Sequence, residues 1–203
     1  MTTDRLLEAL LAMPSLPEEF GDPRYRTEFK KHVDKVVSFS SFPQRQLLLS
    51  EGQKADAMYF VDKGAARGYT YDPKSRREIT LFLWEERSFV VAANSFFFRE
   101  PSDIYIEVLP GSFLLSATYQ DMLTTFAKFP QVETMTRIVM VQYNKFYAKR
   151  VLELMTLNAW DRYLNLLKEH PGIEQKVSQD IIASFVGVTP QSLSRMIGIH
   201  GHP

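Results

Sequence analysis

The first forty residues contain two runs in which hydrophobic side chains recur at helical spacing. Leu6, Leu7, Leu10 and Leu11 share one face of a helix that ends before Pro14. Phe29, Val33 and Val37 share one face of a second helix, predicted over 27–37. Because each helix has a single apolar face, we expect both to pack against a larger core.

Between Phe42 and Ala117 the hydrophobic pattern changes to a period of two. Met58, Ile79 and Ile104 each begin a run in which successive residues point to opposite faces. Turn signals separate the runs, among them Glu51-Gly52, Asp62-Lys-Gly64, Asp72-Pro-Lys-Ser75 and Pro110-Gly111. Short strands at regular spacing, with no long helix between them, predict an antiparallel β-roll or barrel.

Beyond Thr118 the sequence is helical again. Thr118 and Asp121 have the spacing of an N-cap and the third residue of a helix. After Pro130, the range 132–157 contains neither Pro nor Gly and predicts a helix of roughly 35–40 Å. Apolar residues on two of its faces predict two contacts, one with the chain's own roll and one with a second copy. A core helix buried within a monomer is the alternative.

The C-terminal tail has the pattern of two short helices joined by a tight turn. Ser178 is predicted to cap the first helix, and Gly187 to supply the positive φ of the turn. Thr189 followed by Pro190 starts the second helix. Its exposed face then carries Gln191, Ser192, Ser194 and Arg195, side-chain types that bond base edges and phosphates. A plain helical hairpin that closes the fold is the alternative.

Three motifs, in this order along the chain, are similar to those of a known family. They are Leu49-Ser-Glu-Gly52, Met58-Tyr-Phe-Val-Asp-Lys-Gly64 and Gly187-Val-Thr-Pro-Gln-Ser-Leu-Ser-Arg195. From about Phe29 to Ile197 the chain resembles the bacterial CRP/FNR family of transcription regulators, which join a cyclic-nucleotide-binding β-roll, a long dimerisation helix and a helix-turn-helix. The resemblance implies an α+β fold in which an antiparallel β-roll (a cyclic-nucleotide-binding-domain-like jelly roll) with flanking helices precedes those two elements. Relatives often continue from the helix-turn-helix into a β-wing, and we expect no full wing here, because only Gly198-Ile-His-Gly-His-Pro203 follows.

The resemblance also divides the chain and assigns roles to residues. It implies a sensor domain over 1–130, a dimerisation helix over 131–157 and a DNA-binding domain over 158–203. It makes Arg195 and Gln191 the best candidates for base contacts, with Ser178, Thr189, Ser192 and Ser194 as further DNA-binding residues. The expected dimer interface is Val132, Met135, Val139, Gln142 and Phe146. The expected partners are promoter or operator DNA and a second copy of the chain, and the resemblance also admits RNA polymerase.

The roll lacks the residues with which family members hold the phosphate of cyclic AMP. In the family a Gly-Glu pair and an Arg-Ser/Thr run surround this anion, whereas this chain has Ala92-Ala93 and Ser102-Asp103 at those places. We therefore expect no tight binding of cyclic AMP or cyclic GMP, with Arg99 the one nearby replacement for the missing guanidinium. A pocket for another small effector would be lined by Phe82, Phe89, Ala92, Ala93, Asn94, Ser95, Arg99, Ser102 and Asp103.

Enzymatic functions lack their usual residues in this chain. The four His residues all lie outside the range 42–117, so a metal-dependent cupin has no ligands in its roll. No P-loop, Gly-x-Ser-x-Gly or Gly-x-Gly-x-x-Gly sequence is present, and the absence of Cys excludes thiolate-bound zinc and iron–sulfur clusters. We therefore expect a protein that is not an enzyme and needs no cofactor or metal. A family-fold module that binds a ligand or a protein but no longer reads DNA is the alternative function.

Charge and targeting signals complete the sequence prediction. The formal net charge is zero, which by itself disfavours a nucleic-acid binder. From Arg137 onward, however, eight Lys and Arg residues face five Asp and Glu residues, so the C-terminal part of the chain carries an excess of positive charge. We found neither a secretory signal nor a hydrophobic stretch long enough to span a membrane, and we expect a cytoplasmic protein.

Overall fold

Two four-stranded antiparallel sheets form a roll in the computed structural model, which describes residues 2–201. The strands are β1 (Ser38–Phe42), β2 (Gln46–Leu49), β3 (Ala57–Lys63), β4 (Ala65–Tyr71), β5 (Glu78–Glu85), β6 (Phe89–Val90), β7 (Tyr105–Val108) and β8 (Ser112–Thr118). The first sheet has the order β1-β8-β3-β6 and the second the order β2-β7-β4-β5. The predicted antiparallel roll is confirmed.

Alternation along the strands separates the roll interior from its outer faces. In β3, Val61 faces the interior while Phe60 faces outward, and in β8 the same holds for Leu114 and Leu115. This is the period of two that the sequence predicts for strands. Strand β1 was not predicted, because four of its five residues are exposed and its sequence shows no apolar alternation.

The helices lie before, within and after the roll. They are α1 (Asp4–Leu11), α2 (Pro23–Val36), α3 (Ala93–Phe98), α4 (Tyr119–Lys128), α5 (Val132–Thr156), α6 (Ala159–Glu169), α7 (Ile173–Lys176), α8 (Gln179–Val186) and α9 (Pro190–His200), with a short 3-10 turn at Glu18–Gly21. The predicted capping pair at α4 is confirmed, since Thr118 and Asp121 each bond the other's backbone N–H. Helix α2 begins four residues before the predicted start, because Asp22 caps it and Pro23 occupies its first position.

The long helix α5 connects three hydrophobic clusters. Its first turns bury Val132, Met135 and Val139 against the outer face of the first sheet and against α1 and α2. Further along, Tyr143 and Phe146 pack against the roll interior, and Phe146 also contacts the cluster around α6 and α8. Helix α5 therefore links the roll to the C-terminal helices. No helix in the described part of the chain is long and apolar enough to cross a membrane.

Candidate nucleic-acid interface and roll interior

Helices α8 and α9 form the predicted helix-turn-helix. Ser178 caps α8, and Gly187 ends it with a φ of 84°. The backbone N–H groups of Gly187 and Val188 both donate to the Ala183 carbonyl at 2.9 Å. A side chain at Gly187 would be strained at this φ, so the turn depends on glycine.

The second helix starts as its sequence predicts. The Ser192 backbone N–H donates to the Thr189 hydroxyl at 3.1 Å, and Pro190 occupies the first helical turn. Leu193 is fully buried and fixes the inner face of α9. Helix α9 is therefore held against α8 with its opposite face turned outward.

Five of the six predicted DNA-contact residues lie on or beside the outer face of α9. Gln191, Ser194 and Arg195 are exposed, whereas Thr189 and Ser192 are half-buried and bonded to each other. Positions 191, 194 and 195 share one helix face. Among the described residues, Gln191 and Arg195 make no hydrogen bond or ion pair, so both side chains are free to bind a ligand. The sixth residue, Ser178, is exposed at the start of α8.

A serine that sequence analysis did not identify attaches α8 to the roll. The Ser184 hydroxyl accepts a hydrogen bond from the Thr80 backbone N–H at 2.8 Å and donates one to the Glu78 carbonyl at 2.7 Å. Strand β5, which supplies both backbone groups, is at one edge of the second sheet. Nothing in the local sequence around Ser184 predicts this contact, because its partners lie over a hundred residues away.

Charged groups strengthen the same contact between the roll and the C-terminal helices α6 to α9, which we call the reader. Glu85 of β5 accepts from His170 at 2.6 Å and from Lys176 at 2.7 Å. The hydrogen bond from His170, together with that from Lys176, lowers the pKa of the Glu85 carboxyl against the opposing effect of its burial. Apolar side chains of the roll, including Leu83 and Leu109, are buried in the same cluster as α6 and α8. The position of the helix-turn-helix relative to the roll is therefore fixed by both polar and apolar contacts.

Aromatic side chains fill the part of the roll interior that faces α5. The rings of Phe82 and Trp84 stack with their centroids 4.9 Å apart, and Phe146 stacks on Phe82 at 5.5 Å. Tyr143 donates from its hydroxyl to the Phe89 carbonyl at 2.6 Å, and burial raises the pKa of this tyrosine. Gly68 lies directly beneath the pair, since a Cβ there would come within 2.9 Å of Trp84 and 3.0 Å of Phe82. The density of aromatic residues in the sequence thus corresponds to packed core at this place.

The predicted pocket residues differ in their exposure. Phe82, Ala92 and Ser95 are buried, Phe89 and Ala93 are half-buried, and Asn94 and Asp103 are exposed. The Ser95 hydroxyl accepts from the Ala55 N–H at 2.8 Å, and the Ser102 hydroxyl donates to the Ile104 carbonyl at 2.8 Å. Both hydroxyls therefore hold the loops around α3 in place.

The Arg99 side chain already has partners within the chain. Its guanidinium donates to the Ala55 carbonyl at 2.5 Å, forms an ion pair with Asp56 and lies 4.5 Å from the centroid of the Tyr119 ring. This arginine is therefore not placed to replace the missing phosphate-binding guanidinium. Burial, followed by the charge of the exposed Asp103 carboxylate, raises the pKa of Tyr147 on α5 to about 12.

The predicted dimer-interface residues occupy places that differ from the expectation. Val132, Met135 and Val139 are at most 7% exposed because α1, α2 and the first sheet cover them within the same chain. Phe146 is half-buried against Phe82, and only Gln142 is exposed. The sequence shows two apolar faces on α5 but cannot show which one the chain itself covers.

The face of α5 that the chain leaves open has a heptad pattern. It carries Val141, Ala148 and Met155, spaced seven residues apart, with Asn144 and Val151 between them. Val141 and Val151 are each 54% exposed and Met155 is 80% exposed. A second apolar surface is thus present on the helix, at residues other than the predicted five.

A buried ionic network on the outer face of the second sheet also went unpredicted. Arg67 is 1% exposed, forms ion pairs with Glu107 and Glu78, and lies 4.3 Å from the centroid of the Tyr69 ring. Arg45 also donates to Glu107, at 2.7 Å. Each of these four charges has an opposite partner within the network, so the network offers no free group for chemistry.

Several solved structures of other proteins have a similar architecture. No family model matches the chain, and no curated protein matches its sequence. The structure is similar to that of CLP, the c-di-GMP-responsive global regulator of Xanthomonas campestris, with a TM-score of 0.67 and 18% identity over 85% of this chain and 90% of CLP. It is similar to a transcriptional regulator of the Crp/Fnr family from Eubacterium rectale, with a TM-score of 0.69 and 17% identity over 85% and 82% of the two chains.

A third solved structure extends the likeness. FixK2 from Bradyrhizobium japonicum has a TM-score of 0.67 and 16% identity over 82% of this chain and 86% of its own. These likenesses cover most of the chain, from the roll into the C-terminal helices. The chain therefore has the fold of the CRP/FNR transcription regulators, as the three sequence motifs predict.

Proposed function

We propose that this protein is a homodimeric DNA-binding transcription regulator of the CRP/FNR type that does not respond to cyclic AMP. The observation that carries the DNA-binding proposal is the outer face of α9. There Gln191 and Arg195 are exposed and unpaired among the described residues, next to a turn built on Gly187. An unpaired guanidinium and an amide on a helix are the groups that read guanine and adenine in the major groove.

Dimerisation is supported by the exposed heptad face of α5. Val141, Ala148, Val151 and Met155 would meet the same residues of a second copy across a coiled-coil seam of two heptads. Two helix-turn-helix units would then contact half-sites about one DNA turn apart, so that weak half-site contacts add up to useful affinity.

Insensitivity to cyclic AMP is supported by the content of the roll. Phe82, Trp84 and Phe146 fill the interior beside α5, and Arg99 is paired with Asp56 outside it. An anionic phosphate would lack a guanidinium partner in this interior, and desolvating it there without one is costly. Isothermal titration with cyclic AMP is expected to show no heat of binding, and micromolar affinity would contradict the proposal. The proposal requires no cofactor, and it leaves room for an effector of another kind.

DNA binding is tested by selection of bound duplexes from a random pool, followed by titration of the selected sequence over a range of salt concentrations. Arg195→Ala is expected to weaken binding by about 1–3 kcal/mol and to relax specificity at one position of each half-site. The matched control is Arg24→Ala, since Arg24 is exposed on α2, far along the chain from the reader. Failure of the unaltered protein to bind any duplex at low salt would contradict the proposal and favour the module that no longer reads DNA.

Dimerisation is tested by sedimentation of two charge variants of α5. Ala148→Glu places a carboxylate in the proposed seam and is expected to shift the protein towards monomer, since like charges would face each other across it. Gln142→Glu is the matched control, because Gln142 is exposed on the same helix but outside the seam. A protein that is monomeric at micromolar concentration, or that dissociates only with Gln142→Glu, would contradict the proposed seam.

A further inference from the structure

A cavity of about 100 Å³ lies outside the roll interior. It lies between the outer face of the first sheet on one side and helices α1, α2, α4 and α5 on the other, and it is partly open to solvent. We propose that this cavity is a binding site for a small non-polar molecule, of the size of a single aromatic ring or a short branched hydrocarbon. The inference does not depend on the proposed DNA-binding function.

Methionine is concentrated around this cavity. Five of the eight methionines line it, namely Met13, Met58, Met122, Met135 and Met140. Methionine is unbranched and polarisable, so its side chain adapts to ligands of different shape at small energetic cost. Leucine and valine fill space with fewer rotamers and would be expected where a core must simply be tight. The enrichment therefore favours an adaptable wall over an ordinary packing defect.

The two threonine hydroxyls at the cavity edge already have partners. The Thr125 hydroxyl contacts His32 Nε2 at 2.8 Å and donates to the Asp121 carbonyl at 2.7 Å, and the Thr136 hydroxyl donates to the Val132 carbonyl at 3.1 Å. Burial, followed by the nearby lysines, lowers the pKa of His32 and favours its neutral form. No buried polar side-chain atom of the described residues lacks a hydrogen-bond partner. Apart from the half-buried Tyr59 and Ser116, the remaining lining side chains are apolar, so the cavity favours a non-polar ligand.

The volume sets the size of the ligand. Apolar cavities of roughly 150 Å³ in other proteins stay free of water and bind benzene or xenon. A cavity of about 100 Å³ with flexible methionine walls is suited to one ring or to five or six aliphatic carbons of roughly that size. Longer chains would need to displace α1, which forms one wall through Leu6 and Leu10.

Helix α1 is the wall that can admit a ligand. Exposed ion pairs tether it, including Asp4 with Lys30 at 2.8 Å and Glu8 with Arg87 at 3.2 Å. Exposed pairs of this kind contribute little to stability, so the burial of Leu6 and Leu7 is what holds α1 against the sheet, and a ligand would enter by local opening of this short N-terminal helix. The opposite wall belongs to α5, through Met135, Val139 and Met140. A bound molecule would therefore contact the helix that links the roll to the C-terminal helices.

The test uses the full-length protein labelled at the methionine methyl groups and titrated with toluene, observed by NMR. We expect the five cavity methyls to shift together and to saturate. Met155 and Met196, which do not line the cavity, serve as internal controls and are expected to stay unchanged. Phenol is the matched probe, since it has a similar size but must lose the hydration of its hydroxyl in a lining that is almost wholly apolar, and it is expected to bind at least about tenfold more weakly.

A pair of variants locates the site independently of the spectra. Leu10→Phe fills the cavity and is expected to weaken toluene binding at least about tenfold, because the added ring occupies the ligand's space. Leu47→Phe makes the same change on the exposed surface of β2 and is expected to leave the affinity unaltered. Absence of shifts up to the solubility of toluene, equal shifts at Met155, or equal affinity for phenol would each overturn the proposal.

Discussion

The Ser184 hydroxyl makes two of the hydrogen bonds that attach the helix-turn-helix to the roll. This hydroxyl bonds the Thr80 N–H and the Glu78 carbonyl of an edge strand, and Thr80 is 2% exposed. In Ser184→Ala both backbone groups lose their partner, while the remaining contacts of α8 with the roll are kept. The variant therefore isolates the contribution of these two hydrogen bonds to docking.

The magnitude follows from the two bonds and from helix propensity. Each neutral hydrogen bond contributes about 0.5–1.5 kcal/mol, and leaving the buried Thr80 N–H unpaired takes the total towards the upper end of about 1–3 kcal/mol. Alanine favours the helix over serine by about 0.5 kcal/mol, which opposes the loss. The net expectation is a loss of about 1–2 kcal/mol, or about 5–30-fold in the equilibrium between docked and undocked reader.

Hydrogen exchange of the Thr80 amide measures this equilibrium directly. Its protection is expected to fall by the same factor of about 5–30 in Ser184→Ala, because the amide exchanges when α8 separates from the strand. Ser194→Ala is the matched control, since Ser194 is exposed on α9, and it is expected to leave Thr80 protection unchanged. Unaltered protection in Ser184→Ala, or an equal loss in both variants, would refute the reasoning.

Two further predictions concern the roll interior and the charged part of the docking contact. Gly68→Ala is expected to lower the free energy of unfolding by about 1–3 kcal/mol, because the added methyl group would contact the aromatic stack. Gly198→Ala has open space around it and is expected to raise the free energy of unfolding by up to about 1 kcal/mol. Urea denaturation compares the two variants, and a stabilised Gly68→Ala would contradict the packing argument. His170 and Lys176 lower the folded-state pKa of Glu85 from its ordinary value of 4.5, so the contribution of Glu85 to stability is present above about pH 4.5 and is lost as the pH falls through the lowered value. The free energy of unfolding, measured against pH, is therefore expected to fall less steeply in acid for Glu85→Gln than for the unaltered protein. Identical profiles would contradict the assignment.

The local parts of this fold were predictable because their causes are local. The N-cap of α4 needs only Thr118 and Asp121, and the turn between α8 and α9 needs only Gly187, Thr189 and their neighbours. Alternation predicted strands β3, β5 and β7 for the same reason, since a pleated strand exposes every second residue to one face. Strand β1 was not predicted, because its partner β8 is seventy or more residues away and its own residues are mostly exposed.

The candidate site was predictable only in part. The outer face of α9 follows from helix geometry, so the exposed positions of Gln191 and Arg195 agree with the sequence analysis. The direction of the Arg99 side chain beside the predicted roll pocket could not be predicted, because it depends on Asp56 and on the Ala55 carbonyl. Likewise, two apolar faces on α5 were visible in the sequence, but which of them the chain covers depends on where α1 and α2 pack.

The sequence by itself determined the order of helices and strands, the caps and turns, and the chemical character of the reading face. Each of these depends on residues within a few positions of one another. Only the tertiary structure decided that aromatic rings fill the roll beside α5, that Ser184 bonds strand β5, and that methionines surround a separate cavity. These contacts join residues distant along the chain, and a periodic pattern records that a face is apolar without recording which surface it meets.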